Sequence, residues 1–147
     1  MEVIGILRFK LVCVLLFLIK LSAQGQEIEW QKTIGGIYSD KLSSIEQTAD
    51  GGYLLAGTSG SIISGDKTEN SLGGYDYWIL KTDSSGNIQW QNTIGGGLND
   101  IQSSIEQTVD GGYILGGTSL SDISGDKTEN RIGGDDYWIV KIDSFGN

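Results

Sequence analysis

The stretch DGGYLLAGTS at residues 50–59 returns as DGGYILGGTS at residues 110–119, sixty positions later. In both copies an Asp-Gly pair, which tolerates the positive φ of a tight turn, follows the alternating run SSIEQT. A second apolar run begins directly after the turn. This order is typical of a β-hairpin, so the pattern predicts two adjacent antiparallel strands in each copy.

The copied hairpin belongs to a tandem duplication. Residues 28–87 align with residues 88–147 without a gap, and 42 of the 60 aligned positions are identical. A long, glycine-rich period is typical of an array, because one small unit cannot bury its own faces and must stack on a neighbour. We therefore define residues 28–87 as repeat 1 and residues 88–147 as repeat 2.

Each repeat also contains a strand rich in aromatic and β-branched residues, DYWILKT at 76–82 and DYWIVKI at 136–142. In the first copy the turn TDSSGN leads from this strand into IQWQNTI at 88–94, which predicts a fourth strand. Its counterpart is residues 28–34. The expected order is therefore one outermost strand, a complete four-stranded sheet over 43–94, and a three-stranded sheet over 103–143 whose outer strand is missing.

Four short antiparallel strands per unit, with no apolar period of 3.6 residues, predict an all-β fold. We expect antiparallel four-stranded propeller blades, two of which form an incomplete β-propeller. An eight-stranded sandwich has the same strand statistics, but radial repetition is what requires an exact period. If the units are equivalent, Trp78 and Trp138 should be equally buried, and so should Tyr53 and Tyr113.

The motifs DGGYLLAGTS and GGYDYWILKTDSSGNIQWQNTIGG (73–96), with their second copies, resemble a known class of repeat. They are similar to the delta-60 and seven-bladed-propeller repeats, of roughly sixty residues, in secreted and surface proteins of Bacteroidota. The resemblance covers residues 28–147. It implies a propeller fold, further blades, and type IX secretion through a C-terminal sorting domain. It implies little about activity, because many functions use this scaffold.

The first 25 residues have a different composition. Arg8 and Lys10 precede the apolar run LVCVLLFLI at 11–19, and the small and polar residues LSAQGQ follow. This order predicts a secretory signal peptide over residues 1–25. The apolar run is shorter than the roughly 20 residues that a membrane-spanning helix needs. We therefore expect a secreted or cell-surface protein with no stable membrane span.

Removal of the signal peptide leaves seven Lys and Arg against eighteen Asp and Glu, a net charge of −11. Such a surface repels phosphate backbones, which excludes nucleic acid as a partner. Neither cysteine nor histidine remains, since the one cysteine is Cys13. Disulfides and the common pairs of nucleophile and base are then unavailable, so the chain is expected not to be an enzyme and to use no cofactor.

The loop ISGDKTEN, identical in both repeats, places oxygen-bearing side chains at alternate positions, as a calcium loop does. The calcium candidates are Asp66, Thr68, Asn70, Asp126, Thr128 and Asn130. The remaining positions of a calcium loop do not match, because the bidentate glutamate expected at position twelve is Tyr77 or Tyr137. The sequence therefore favours a solvated loop between strands and predicts no metal site.

Two other sets of side chains have alternative interpretations. Asp135 and Asp136 form an adjacent carboxylate pair, but neighbours on a strand point to opposite faces and cannot flank one glycosidic bond. Tyr38 and Tyr75 lack aromatic counterparts in the other repeat and are candidates for stacking on sugars. The aromatic residues that do recur are predicted to pack between the units: Trp30, Tyr53, Trp78, Trp90, Tyr113 and Trp138.

The expected function is a non-catalytic secreted or cell-surface β-propeller segment for binding or scaffolding. The alternative is a carbohydrate-binding lectin, or a secreted carbohydrate-active enzyme, with its site in the loops at 60–74 and 120–134. The expected partner is an unidentified protein or glycan. Further blades are expected to come from a longer chain or from self-association into a ring, because residues 28–34 should not pair with 136–143 of the same two-blade chain.

Overall fold

The computed structural model describes Gly25 and residues 27–147, so the signal peptide predicted at residues 1–25 lies outside the described part except for Gly25. The described residues form seven strands and no helix. The strands are β1 (Asp40–Gln47), β2 (Tyr53–Ser59), β3 (Asp76–Thr82), β4 (Ile88–Ile94), β5 (Asp100–Gln107), β6 (Tyr113–Ser119) and β7 (Asp136–Ile142). All neighbouring strands are antiparallel, which confirms the all-β prediction.

The strands form two sheets, one with the order β1-β2-β3-β4 and one with the order β5-β6-β7. The registers correspond, and each sheet has a β-bulge at the same place, after Leu42 in β1 and after Gln102 in β5. The hairpin turns contain Gly51 and Gly111 at φ values of 82° and 81°. Glycine adopts this left-handed conformation without steric cost, which explains the Asp-Gly pair at both turns.

We distinguish the two faces of each sheet by the alternation of side chains along its strands. The front face carries Leu54, Ala56, Tyr77 and Ile79 in the first sheet and Ile114, Gly116, Tyr137 and Ile139 in the second. The back face carries Tyr53, Leu55, Trp78 and Leu80 in the first sheet and Tyr113, Leu115, Trp138 and Val140 in the second. The main hydrophobic cluster joins the front face of the first sheet to the back face of the second.

The sheets approach each other most closely at β5, which lies against β1, β2 and β3. Three hydrogen bonds cross at this side, one of them from Gln107 N to Glu46 Oε2 at 3.0 Å. Ser43 Oγ donates to the Gln102 carbonyl at 2.8 Å, and Gln102 N donates to Thr58 Oγ1 at 3.0 Å. On the far side the backbone of β4 does not approach the second sheet closely, and the rings of Trp90 and Tyr113, with centroids 6.1 Å apart, fill the space between the sheets. The two sheets therefore form a wedge.

The segment predicted as an outermost strand, residues 28–34, forms no ladder within the described chain, as expected for a segment that should not pair with residues 136–143 of its own chain. A β-strand exists through the ladder that it makes with a neighbour. Residues 88–94 become β4 because β3 lies beside them, whereas no strand in the described chain lies beside residues 28–34. These residues form no ladder with β7, which is the edge strand of its own sheet.

The prediction of equal burial is wrong. Trp78 is buried and Trp138 is half-buried, whereas Tyr53 is half-buried and Tyr113 is buried. The indole Nε1 of Trp78 donates to a side chain of β4 at 3.0 Å, and the second sheet has no fourth strand in the described chain to cover Trp138. Tyr113 lies between the sheets. The burial of each aromatic residue therefore depends on its place in the stack.

Candidate interaction surface

The two ISGDKTEN loops attach each sheet to the chain segment that precedes it. Asp66 Oδ2 accepts a hydrogen bond from Gly35 N at 3.1 Å, and Asp66 N donates to the Gly35 carbonyl at 2.9 Å. Asp126 and Gly95 make the same two bonds at 3.1 and 2.9 Å. Each aspartate therefore joins a loop to the segment that enters its own unit.

The other calcium candidates lie where they close the loop. Asn70 Oδ1 accepts from Ile63 N at 2.9 Å, and the second loop repeats this bond with Asn130 at 3.1 Å. Within residues 27–147 no group of three or more His, Cys, Asp or Glu residues is placed to hold a metal ion. The hydrogen bonds favour the structural interpretation of the loop, and the lack of a metal site stays a prediction.

Lys67 and Lys127 were not singled out from the sequence, although both copies of the loop contain this lysine. Lys67 Nζ lies 5.3 Å from the centroid of the Trp78 ring, and Lys127 Nζ lies 5.4 Å from that of Trp138. This geometry is that of a cation–π contact. Lys67 Nζ also donates to Thr93 Oγ1 of β4, and burial lowers the pKa of Lys67. In the first sheet the loop lysine therefore links the third and fourth strands.

Gln91 of β4 completes this link. Its Oε1 accepts from Trp78 Nε1 at 3.0 Å and from Thr68 N at 3.2 Å, and its Nε2 donates to the Asp66 carbonyl at 2.7 Å. One amide side chain thus joins β3, β4 and the loop. The edge of β7 presents the groups that the edge of β3 presents to β4, including the indole of Trp138. The described chain places no fourth strand beside them.

The front face of the second sheet is exposed. Tyr137 and Ile139 are 91% and 67% exposed, whereas their counterparts Tyr77 and Ile79 are fully buried under the second sheet. Large exposed apolar side chains that lie together on a regular face are typical of interaction sites. This face and the open edge of β7 together form the candidate interaction surface.

A cavity of about 230 Å³ lies on the back face of the first sheet, beside the segment that precedes β1. Its lining includes Lys32, Ile34, Leu55, Gly57 and Trp78. The corresponding position on the second sheet is filled, because Tyr77 lies there and its hydroxyl donates to the Trp138 carbonyl at 3.2 Å. Gly117 makes room for that hydroxyl, since a Cβ atom at this position would lie 2.5 Å from it.

Asp76 and Asp136 have the same backbone partners and different environments. Asp76 Oδ2 accepts from two loop amides at 2.6 and 3.2 Å, and Asp136 Oδ2 accepts from the two corresponding amides at the same distances. Burial raises the pKa of Asp76 to about 6. The backbone hydrogen bonds instead lower the pKa of Asp136, which lies on the open sheet.

The remaining candidates lie apart from this surface or have a structural role. Asp135 is exposed, and the carboxylate of its neighbour Asp136 is bound to backbone amides. Tyr38 is 62% exposed, and Tyr75 is half-buried. Two aromatic pairs join the two sheets, Trp90 of β4 with Tyr113 and Tyr77 with Trp138. Trp30 packs on Tyr53 within repeat 1, and Trp78 instead contacts Lys67 of its own repeat and Gln91 of its own sheet.

No protein-family model matches the chain, and a comparison with curated proteins finds no match. The described residues contain no helix with the length and apolar character that crossing a bilayer requires. The stacking of the sheets and the candidate interaction surface are therefore the features of the molecule that bear on its function.

Proposed function

We propose that this chain is a non-catalytic segment of a secreted or cell-surface β-propeller that serves binding or scaffolding. One observation carries the proposal: the front face of one sheet packs on the back face of the next. In a two-sheet sandwich the facing sides together complete the core. In an array every sheet has a front and a back neighbour, so the same contact can be repeated.

The wedge between the sheets supports a radial arrangement. Blades of a propeller are close together near the central channel and separate toward the rim. The first strands of the two sheets, β1 and β5, lie on the narrow side of the wedge, and β4 lies on the wide side. The resemblance of the repeats to the delta-60 and seven-bladed-propeller repeats of Bacteroidota supports the same assignment, as well as export through the predicted signal peptide.

Chains made of joined copies would test the propeller directly. Because Asn87 is followed by Ile88, fusion of Asn147 to Ile28 of a further copy preserves the natural junction between repeats. Propellers close with roughly four to eight blades. We expect the radius of gyration from small-angle scattering to level off, and the melting temperature to rise, once three or four copies are joined. A radius that keeps growing in proportion to length would contradict the propeller.

The carbohydrate-binding alternative has one supporting observation. The backbone N–H of Tyr38, whose ring is exposed, donates to Ser61 Oγ at 2.9 Å. This bond holds an aromatic side chain beside the loop at 60–74, where it is available to stack on a sugar ring. Binding of one glycan family on an array, lost on Tyr38→Ala, would favour a lectin. Turnover of a fluorogenic glycoside would favour an enzyme and contradict the non-catalytic assignment.

A further inference from the structure

We propose that the open edge of β7 binds residues 28–34 of a second copy of this chain, so that copies associate head to tail. The second sheet of one copy would then be followed by the first sheet of the next. The proposal deepens the scaffold function proposed above and rests on it for the order in which sheets stack.

The β3–β4 ladder provides the template for this association. β7 is identical to β3 at five of seven positions, and residues 28–34 are identical to β4 at five of seven positions. The counterparts of β7 and of residues 28–34, which are β3 and β4, therefore already form a ladder with each other within the chain. An open strand edge presents unpaired N–H and C=O groups, which favour the addition of a strand.

The side chains of the template recur on both partners. Gln91 holds β4 to β3 through the indole of Trp78 at 3.0 Å. Residues 28–34 contain the corresponding Gln31, which is exposed, and β7 contains the corresponding Trp138. In the same way, Thr93 N donates to the Glu69 carboxylate at 2.7 Å, and Thr93 Oγ1 accepts from Lys67. The corresponding groups are Thr33, Glu129 and Lys127.

One difference between the copies adds a charged contact. In the first sheet Lys81 Nζ donates to Gln89 Oε1 of β4 at 3.0 Å. The counterpart of Gln89 in the incoming segment is Glu29, and the counterpart of Lys81 on β7 is Lys141. The hydrogen bond from a lysine to a neutral amide in the template would therefore become a salt bridge between the two copies, and a pair of opposite charges makes the contact more specific.

Residues 28–34 pack against the first sheet in the same way as β4 packs against the second sheet. Trp30 lies 5.7 Å from Tyr53, as Trp90 lies 6.1 Å from Tyr113. Gly35 contacts the first loop with the same two hydrogen-bond distances that Gly95 has with the second loop. Residues 28–34 can therefore keep their contacts with the first sheet of their own chain while they pair with β7 of another copy.

The sheet faces are complementary as well. Association would place the front face of the second sheet on the back face of the first sheet of the next copy, where the cavity of about 230 Å³ lies. Tyr77 fills the equivalent position within the chain and donates to the Trp138 carbonyl. Tyr137 of one copy would fill the cavity of the next, beside Gly57 and Trp78. This contact is heterologous, so it closes into a ring or continues as a filament.

Two charge substitutions test the surface, and the duplication provides the control. Ile139 is 67% exposed and its counterpart Ile79 is fully buried, whereas Ile123 and its counterpart Ile63 are exposed to similar extents, 61% and 59%. Stacking of a second copy on the front face of the second sheet would therefore cover Ile139 and leave Ile123 exposed. We expect concentration-dependent association of the full chain in sedimentation, weakened at least about tenfold by Ile139→Glu, because burying an unpaired charge is costly, and unchanged by Ile123→Glu. A wild-type monomer, or equal effects of both substitutions, would overturn the proposal.

Disulfide trapping tests the identity and register of the pairing strand. Asn92 lies opposite Ile79 in the β3–β4 ladder, which corresponds to Lys32 opposite Ile139. In a Cys13→Ser background, a chain with Lys32→Cys and a chain with Ile139→Cys should form a mixed disulfide dimer under mild oxidation. Preferential linkage of two Ile139→Cys chains would show that β7 pairs with itself and would overturn the proposal.

An experiment can distinguish a chain that does not associate with other copies from a chain whose own two sheets do not stack. In the chain itself, burial of Tyr77 reports that the two sheets stack, because its ring lies between them. A monomer in which the Tyr77 ring stays protected from chemical nitration, while the exposed Tyr137 ring reacts, would overturn only the association between copies. A monomer in which this protection is lost would contradict the stacked array as well.

Discussion

β3 and β7 have nearly the same sequence and opposite environments. DYWILKT and DYWIVKI are identical at five of seven positions. All seven residues of β3 are buried, whereas β7 alternates between half-buried and exposed residues until its last position. Both strands have the same register with the strand before them. The comparison shows that burial in this protein is set by what lies beside a strand rather than by the strand's own residues.

The largest expected difference between the two strands concerns their tyrosines. Tyr77→Ala removes a buried ring and should lower the free energy of unfolding by roughly 3–5 kcal/mol. Tyr137→Ala removes an exposed ring and should change it by less than about 0.5 kcal/mol. Urea unfolding at a protein concentration too low for association measures both values. Equal losses would show that the second sheet does not cover the front face of the first.

A smaller effect is expected for the aspartates that begin the two strands. Because the folded pKa of Asp76 is raised from 3.8 to about 6, the folded state binds this proton more tightly than the unfolded state does. The free energy of unfolding should therefore fall as pH rises from about 4 to about 6, by up to roughly 3 kcal/mol. Asp76→Asn keeps an acceptor for the loop amides and should remove this dependence.

Asp136→Asn is the matched control for the pH experiment. The backbone hydrogen bonds of the loop lower the pKa of Asp136 in the folded state. The ionised carboxylate therefore stabilises the fold at pH values above the unfolded pKa, and this contribution is lost as pH falls through the folded pKa. The two substitutions should therefore have opposite signs at neutral pH, with Asp76→Asn stabilising and Asp136→Asn destabilising. Urea unfolding between about pH 3.5 and pH 8 measures both slopes. Parallel slopes for the two variants would contradict the difference in burial.

The smallest expected effect concerns the ISGDKTEN loops, in which the two units agree. Their Asp and Asn side chains accept corresponding backbone hydrogen bonds in both copies. We expect added Ca²⁺ to leave the melting temperature unchanged and to release no heat in a calorimetric titration. A stabilisation that disappears on Asp66→Asn or Asp126→Asn would instead establish a calcium site in that loop.

Local patterns were sufficient to predict most of the strands. The Asp-Gly turn, the alternating run before it and the aromatic strand after the loop each depend on neighbouring residues in the chain, and all three appear in both units. The candidate surface could not be predicted in the same way. Tyr137 and Tyr77 have the same neighbours in sequence, and no local signal distinguishes the exposed ring from the buried one.

The sequence by itself determined seven of the eight predicted strands, where the hairpins turn, and that the units recur after sixty residues. Only the tertiary structure decided that residues 28–34 stay outside a ladder, that burial raises the pKa of Asp76 to about 6, and that the front of the second sheet is exposed. Strand propensity and turn geometry act between residues close in the chain. Ladder formation and desolvation depend on neighbours far away in the chain, and two nearly identical repeats differ in those neighbours.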